Sequence, residues 1–199
     1  MAQVLIDLVQ QTHPEAVLSA YSQHGDETLV LRPEAWFSVH QFLREDARVD
    51  AAMLVDLTVV DFPDREPRFE VVSHLLSLSQ GHRLRLKTQV GDEEGDDAIV
   101  PSLTAIWASA NWMEREAYDM FGVQFSGHPD LRRILLYPEF EGHPLRRDYP
   151  ADKIQPLVPF REVDNIEKVA PFGPDEGMSF GRQTHHLPPT SDAPADKKG

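Results

Sequence analysis

Proline is unevenly distributed along this chain, and that asymmetry limits what the chain can fold into more than any other feature. Of 16 prolines in 199 residues, 12 lie beyond position 100. Proline fixes φ and removes a backbone donor, so closely spaced prolines interrupt both helix interiors and sheet ladders. Regular structure is therefore expected in the first half and an irregular, extended course in the second.

The first half bears the periodicities of regular structure. Val4, Leu5, Leu8 and Val9 recur at helical spacing before Pro14. Residues 17–21 and 28–32 read as strands joined by the polar turn His24-Gly25-Asp26. Pro33 suits the first turn of a helix running to about Glu45, with Trp36, Phe37, Val39 and Phe42 or Leu43 inward. Residues 53–60 are nearly continuous apolar sequence, which predicts a central strand covered on both faces. Residues 69–76 are mostly apolar. In 82–90, Leu84, Leu86 and Thr88 alternate with Arg83, Arg85 and Lys87, the pattern of a half-solvated strand. The acidic run Gly91-Asp92-Glu93-Glu94-Gly95-Asp96-Asp97 lacks the Asp-x-Asp-x-Asp-Gly spacing and distal Glu of a calcium loop, so a solvated turn is expected. These elements predict an α+β fold: a mixed sheet of about five strands with helices packed on one face, followed by an irregular C-terminal tail.

Composition removes several functions. With 33 acidic residues against 19 Lys and Arg, a net charge of -14, phosphate neutralisation cannot drive nucleic-acid binding. An anionic membrane surface is disfavoured for the same reason. Because the chain has no cysteine, it can form no disulfide, thiol nucleophile or all-thiolate iron–sulfur site. Residues 1–11 have neither a basic start nor a long apolar run, so no signal peptide is expected, and no stretch approaches a membrane span.

The chemistry-bearing residues concentrate in 101–150. Pro101-Ser102 reads as the start of a short helix containing Leu103, Ile106 and Trp107. Asn111, three residues before Glu114, reads as a capping box opening a helix that Gly122 closes. On this helix Met113, Ala117, Met120 and Phe121 share one face, and Glu116 and Asp119 lie along a second stripe beside Arg115 and Tyr118. As metal or acid–base ligands the carboxylates would need a partner such as Glu-x-x-His, and His128 lies beyond Gly122. As structure, Glu114 and Glu116 favour the helix N-terminus, and Arg115 can pair with Asp119. A structural or interface role is the favoured reading.

Two similar segments follow. Gly127-His128-Pro129-Asp130-Leu131-Arg132-Arg133 is echoed by Gly142-His143-Pro144-Leu145-Arg146-Arg147-Asp148. Each combines a glycine turn, a proline, an apolar anchor and two guanidinium groups able to bind carboxylates bidentately. The acids they meet could belong to this chain or to a partner, and a phosphate is a third possibility. His128 and His143 have no Cys or His at metal spacing, so no zinc site is expected.

These residues resemble the 30-kilodalton subunit family of respiratory complex I, the NADH:quinone oxidoreductase. The signature is Glu114-Arg115-Glu116, then Asp119-Met120-Phe121, His128, Arg132, Ile134 and Leu135. Agreement extends to Pro101-Ser102, Ala110-Asn111-Trp112, Tyr118, Gly122, Phe125 and Glu141-Gly142-His143-Pro144-Leu145-Arg146-Arg147-Asp148-Tyr149-Pro150.

The resemblance implies a non-catalytic scaffold in the peripheral arm of a proton-translocating NADH:quinone oxidoreductase. It places FMN, the iron–sulfur clusters and quinone in partner subunits, with no cofactor in this chain. The main neighbour it implies is the large quinone-proximal subunit, and the location is the cytoplasmic side of the bacterial inner membrane, peripherally. The interface candidates are Glu114, Arg115, Glu116, Asp119, His128, Arg132, Arg133, His143, Arg146, Arg147 and Asp148.

The expected organisation is an α+β domain over 1–125, a signature loop segment over 126–155, an extended partner-binding tail over 156–187 and a disordered end over 188–199. Alternatives are the equivalent scaffold of a membrane-bound hydrogenase or photosynthetic relative, and a metal-dependent hydrolase using Glu114, Glu116, Asp119 and the histidines.

Overall fold

Five strands form a mixed sheet in the order β1-β2-β5-β4-β3, and only the β2–β5 pair is parallel. The computed structural model describes residues 3–92, 95 and 97–157, all within one unit, Met1–Val158. The expected tail over 156–187, apart from Pro156 and Leu157, and the expected disordered end over 188–199 lie outside the described residues.

In chain order the sheet region contains α1 (Gln3–Thr12), β1 (Val17–Gln23), β2 (Asp26–Leu31), a 3-10 turn (Pro33–Ala35), α2 (Trp36–Glu45), β3 (Met53–Asp61), β4 (Phe69–Leu76) and β5 (Arg83–Val90). The β1–β2 hairpin turns on His24 and Gly25, both at positive φ, the two-residue geometry that follows strand twist. Leu5, Ile6 and Val9 of α1 and Trp36, Val39 and Leu43 of α2 enter one core with Leu29, Leu31, Leu84 and Leu86 of the sheet. The alternation of β5 is as expected: Leu84, Leu86 and Thr88 are buried, whereas Arg85 and Lys87 are half-buried on the opposite face. The predicted mixed five-stranded sheet with helices on one face is the observed fold.

One strand is misplaced by the sequence reading. The apolar run 53–60 belongs to β3, which is an edge strand and not the centre of the sheet. Its burial alternates, and Met53, Val55 and Val60 stay exposed on the helix-free face. A bulge between Leu54 and Asp56 adds Val55 to that face and lengthens the run without a second covering layer. The centre is β5, and β4 is the most continuously buried strand.

After β5 the chain forms β6 (Ile99–Pro101), α3 (Ala110–Phe121) and β7 (Gln124–Ser126). Strands β6 and β7 pair in parallel, and α3 packs against β3. No short helix forms after Pro101, which ends β6. Residues 103–107 make a single turn in which Ile106 and Trp107 both donate to the Leu103 carbonyl. The expected capping box is also absent. Helix α3 starts at Ala110, Asn111 lies inside it, and Ser109 at its start makes no side-chain cap. Gly122 does close α3, at φ +82°. Within the acidic run, Gly95 is buried and not solvated.

Candidate functional site

From 127 to 157 the chain has no helix or strand, and it is held against α3 and the end of β3 by charged side chains. The central group is Asp119, in the last turn of α3 and 0% exposed. Its Oδ2 accepts three consecutive backbone N–H groups, from Ile134 (3.1 Å), Leu135 (2.8 Å) and Leu136 (2.9 Å). Its Oδ1 pairs with Arg133 Nη1 at 2.7 Å. Successive N–H groups around one oxygen make an anion-binding concavity, here filled by a side chain. Burial pushes the Asp119 carboxyl up, but the Leu136 N–H, the Arg133 guanidinium and the N–H groups of Leu135 and Ile134 hold it below its ordinary value.

Arg115, one turn earlier, does not form the expected pair with Asp119. Its Nε and Nη2 donate to the carbonyls of Arg132 (3.1 Å) and Arg133 (3.3 Å), and its guanidinium lies over the Trp112 ring. Arg133 already occupies Asp119, so Arg115 is left to satisfy the carbonyls of the same loop. His128 bridges the same segment: Nε2 donates to the Asn111 carbonyl (3.2 Å), and Nδ1 accepts the Asp130 N–H (3.0 Å). One neutral tautomer serves both bonds.

Arg146 of the second arginine pair meets the same C-terminal end of α3 and the sheet. Arg146 Nε donates to the Phe121 carbonyl at 2.6 Å, Nη2 donates to the Gly95 carbonyl at 3.2 Å, and the guanidinium stacks on Phe69. His143 Nδ1 donates to the Asp119 carbonyl at 3.0 Å, and burial holds this ring below the usual histidine range. Gly122 leaves room for this contact. A Cβ there would lie 2.6 Å from Arg146 Nη2 and 2.7 Å from the His143 ring.

A buried cluster lies behind it. Arg68, 2% exposed, donates bidentately to Asp61 at 2.7 and 2.9 Å and pairs with Asp148 at 2.9 Å. Asp61 also accepts the Arg147 N–H at 2.8 Å. Burial acts to raise Asp61, but Arg68 and that N–H hold it low. Arg68 and Asp61 were missed in the sequence. They bracket a charged turn that also carries Asp64, Arg65 and Glu66, so nothing local distinguished them.

Each arginine pair is thus divided. Arg133 and Arg146 turn inward to Asp119 and to helix-end carbonyls, whereas Arg132 and Arg147 are exposed. Arg132 forms a surface pair with Asp130. Glu116 is exposed as well, and Trp112 is 64% exposed beside it on α3.

Glu114 is placed differently from its expected role at the helix N-terminus. It is 0% exposed and accepts from Ser102 Oγ and the Leu103 N–H, both at 2.6 Å, tying the 102–106 turn to α3. Burial pushes its carboxyl up to about 7, against the lowering effect of those two donors.

Three comparisons bear on what this arrangement serves. Residues 29–155 match the family described as respiratory-chain NADH dehydrogenase, 30 Kd subunit. The NADH-quinone oxidoreductase C-subunit of Rhodobacter capsulatus is 40% identical over 205 residues, covering 100% of this chain and 99% of that protein. The C-subunit of the same enzyme from Agrobacterium fabrum (strain C58) is 46% identical over 172 residues, covering 85% and 82%. Among solved structures, the trypsin-resistant fragment (1-134) of Nqo5 superposes with a TM-score of 0.55 at 30% identity, covering 64% of this chain and 98% of the fragment.

Proposed function

This chain belongs to the family of the respiratory-chain NADH dehydrogenase 30 Kd subunit, and from that membership we propose that it is a structural, non-catalytic subunit in the peripheral arm of a proton-translocating NADH:quinone oxidoreductase. On this reading FMN and the iron–sulfur clusters that pass electrons from NADH to quinone belong to partner subunits. The large quinone-proximal subunit is the principal neighbour. The complex lies at the cytoplasmic side of the bacterial inner membrane, and this chain reaches the membrane only through its partners.

The observation that carries the reading is the use made of the buried polar and charged groups around the loop. Asp119, Arg133, His143, Arg146, Arg68 and Asp61 are bonded to one another or to backbone groups, and these contacts hold one loop in a set shape. Buried acids and bases with their partners already supplied are suited to presenting a surface. The absence of cysteine supports the same conclusion for the clusters, because thiolates are their usual ligands. Among the described residues no helix is long and apolar enough to cross a membrane.

The surface so presented carries Glu116, Arg132 and Arg147 with exposed Trp112, Leu135 and Leu145. Tryptophan and arginine dominate the energetics of protein interfaces. The test is affinity capture of the tagged chain followed by mass spectrometry, with absorbance of the same chain purified alone. Recovery of flavin-bearing and cluster-bearing subunits, together with a colourless isolated chain, is the expected result. A stoichiometric flavin or iron signal in the isolated chain would overturn it.

A further inference from the structure

Glu114 and Asp119 lie five positions apart on α3 and are equally buried, yet only Asp119 has a cation. Among the described residues Glu114 makes no ion pair; its carboxyl meets the Ser102 hydroxyl and the Leu103 N–H. The surrounding sequence explains the difference. From Ala98 to Met113 no residue carries a charge, and β7 has none.

The ionisable groups on the other elements packed nearby are committed elsewhere. Asp61 of β3 is held by Arg68, Asp56 is exposed on the helix-free face, and on α3 Arg115 serves two loop carbonyls. His40, beside Trp107, is driven by burial to about 4 and is neutral. Glu114 therefore occupies an uncharged, desolvated position in which burial disfavours the carboxylate.

The hydroxyl that meets it leads outward. Ser102 Oγ lies 2.6 Å from Glu114 Oε2 and 2.8 Å from Thr104 Oγ1, and Thr104 is half-buried. The Thr104 N–H also donates to Ser102 Oγ at 3.2 Å.

We propose that Glu114, Ser102 and Thr104 form a proton-binding site, in which the carboxyl exchanges a proton with solvent through the two hydroxyls while the 102–104 turn stays hydrogen-bonded in both states. In the carboxylate state Ser102 donates to Oε2 and accepts from Thr104. In the acid state Oε2–H donates to Ser102, and Ser102 donates to Thr104. Release of the proton breaks the Oε2–H bond and forms one at Ser102 Oγ. Ser102 passes its own proton to Thr104 Oγ1, and Thr104 passes one to water. Each hydroxyl oxygen loses one O–H bond as it gains another. Leu103 N–H donates to Oε1 throughout.

The group titrates from 4.5 unfolded to about 7 folded. A raised acid favours the folded protonated form, so its stability contribution is complete below 4.5 and is lost as pH rises towards 7.

The site can be read directly by carbon-13 NMR of the full-length chain labelled at the glutamate carboxyls and titrated from about pH 4 to about pH 9. One carboxyl is expected to titrate near 7. Glu114→Gln, which copies the neutral acid, should remove that resonance and no other. Ser102→Ala should move its midpoint upward, because a donor to the carboxylate is gone. In unfolding experiments Glu114→Gln should lack a pH-dependent rise of the unfolding constant on the order of 100-fold between 4.5 and 7, the size that follows from tenfold per pKa unit. Titration of every glutamate in the ordinary range would overturn the site, as would a resonance near 7 that survives in Glu114→Gln. An unmoved midpoint in Ser102→Ala would overturn the hydroxyl path.

Discussion

The five-stranded sheet and the segment from 127 to 157 hold their shapes by different means. In the sheet, apolar faces such as Leu84, Leu86, Val71 and Leu75 are removed from water together, and a backbone ladder satisfies the polar groups between them. Such burial is non-directional and distributed, so no single contact decides it. The segment has no ladder after β7. It is held by a few directional contacts at Asp119, Arg68, Arg146 and His143, which satisfy backbone groups or a buried charge. Buried apolar area tolerates small changes, whereas a charge network fails when one member is removed.

The largest expected effect follows from Asp119→Ala, which strands Arg133 and three N–H groups at a cost of about 3–5 kcal/mol. Hydrogen exchange should show the amides of Ile134, Leu135 and Leu136 losing protection while those of β4 and β5 keep theirs. Equal loss in both would show that the two regions are one cooperative unit. Acid should reproduce this order without a mutation. Asp61 and Asp119 are held below their ordinary value of 3.8, so their contribution is present above 3.8 and is lost as pH falls through the lower folded value. The segment is expected to open before the sheet as pH falls in that range.

Leu86→Ala is the converse case. It leaves a cavity at the middle of β5 and should cost about 2–5 kcal/mol, seen as a shift of the whole urea transition. A purely local change in exchange at β5 would contradict the distributed account of the sheet.

Gly122→Ala tests the contact between the regions. The strained φ of +82° and the collision with His143 and Arg146 together should cost about 1–3 kcal/mol. Amides of 143–147 should exchange faster, and unchanged exchange there would remove Gly122 from the contact.

The smallest effect on stability belongs to the exposed arginines. Arg132→Ala and Arg147→Ala should each change stability by less than about 1 kcal/mol, as expected for surface charges. Assembled complex on native gels should nevertheless fall, with turnover per assembled complex unchanged. Normal assembly with reduced turnover would contradict a scaffold role.

Much of this fold was legible because it depends on neighbours in sequence. The helical spacing of Leu5, Leu8 and Val9, the His24-Gly25 turn, the alternation from Arg83 to Val90 and the closing Gly122 are all settled within a few residues. The misplacement of β3 has a physical cause: an apolar run specifies burial potential, and the number of covering layers is a property of the whole sheet. The capping reading at Asn111 and Glu114 failed for a related reason. Helix α3 begins at Ala110, before Asn111, so Glu114 lies beyond reach of the N-terminus and bonds across to the 102–106 turn instead.

By itself, the sequence determined the element types of the first half, the irregular course of residues 127–157 after β7 and the absence of thiolate chemistry. Each is a property of local geometry or of composition. Only the tertiary structure decided which arginine of each pair turns inward, and that Arg68 should meet Asp148 80 residues away. Any carboxylate in this acidic chain could satisfy a guanidinium. The choice among them falls to those that packing brings within hydrogen-bond reach and removes from water.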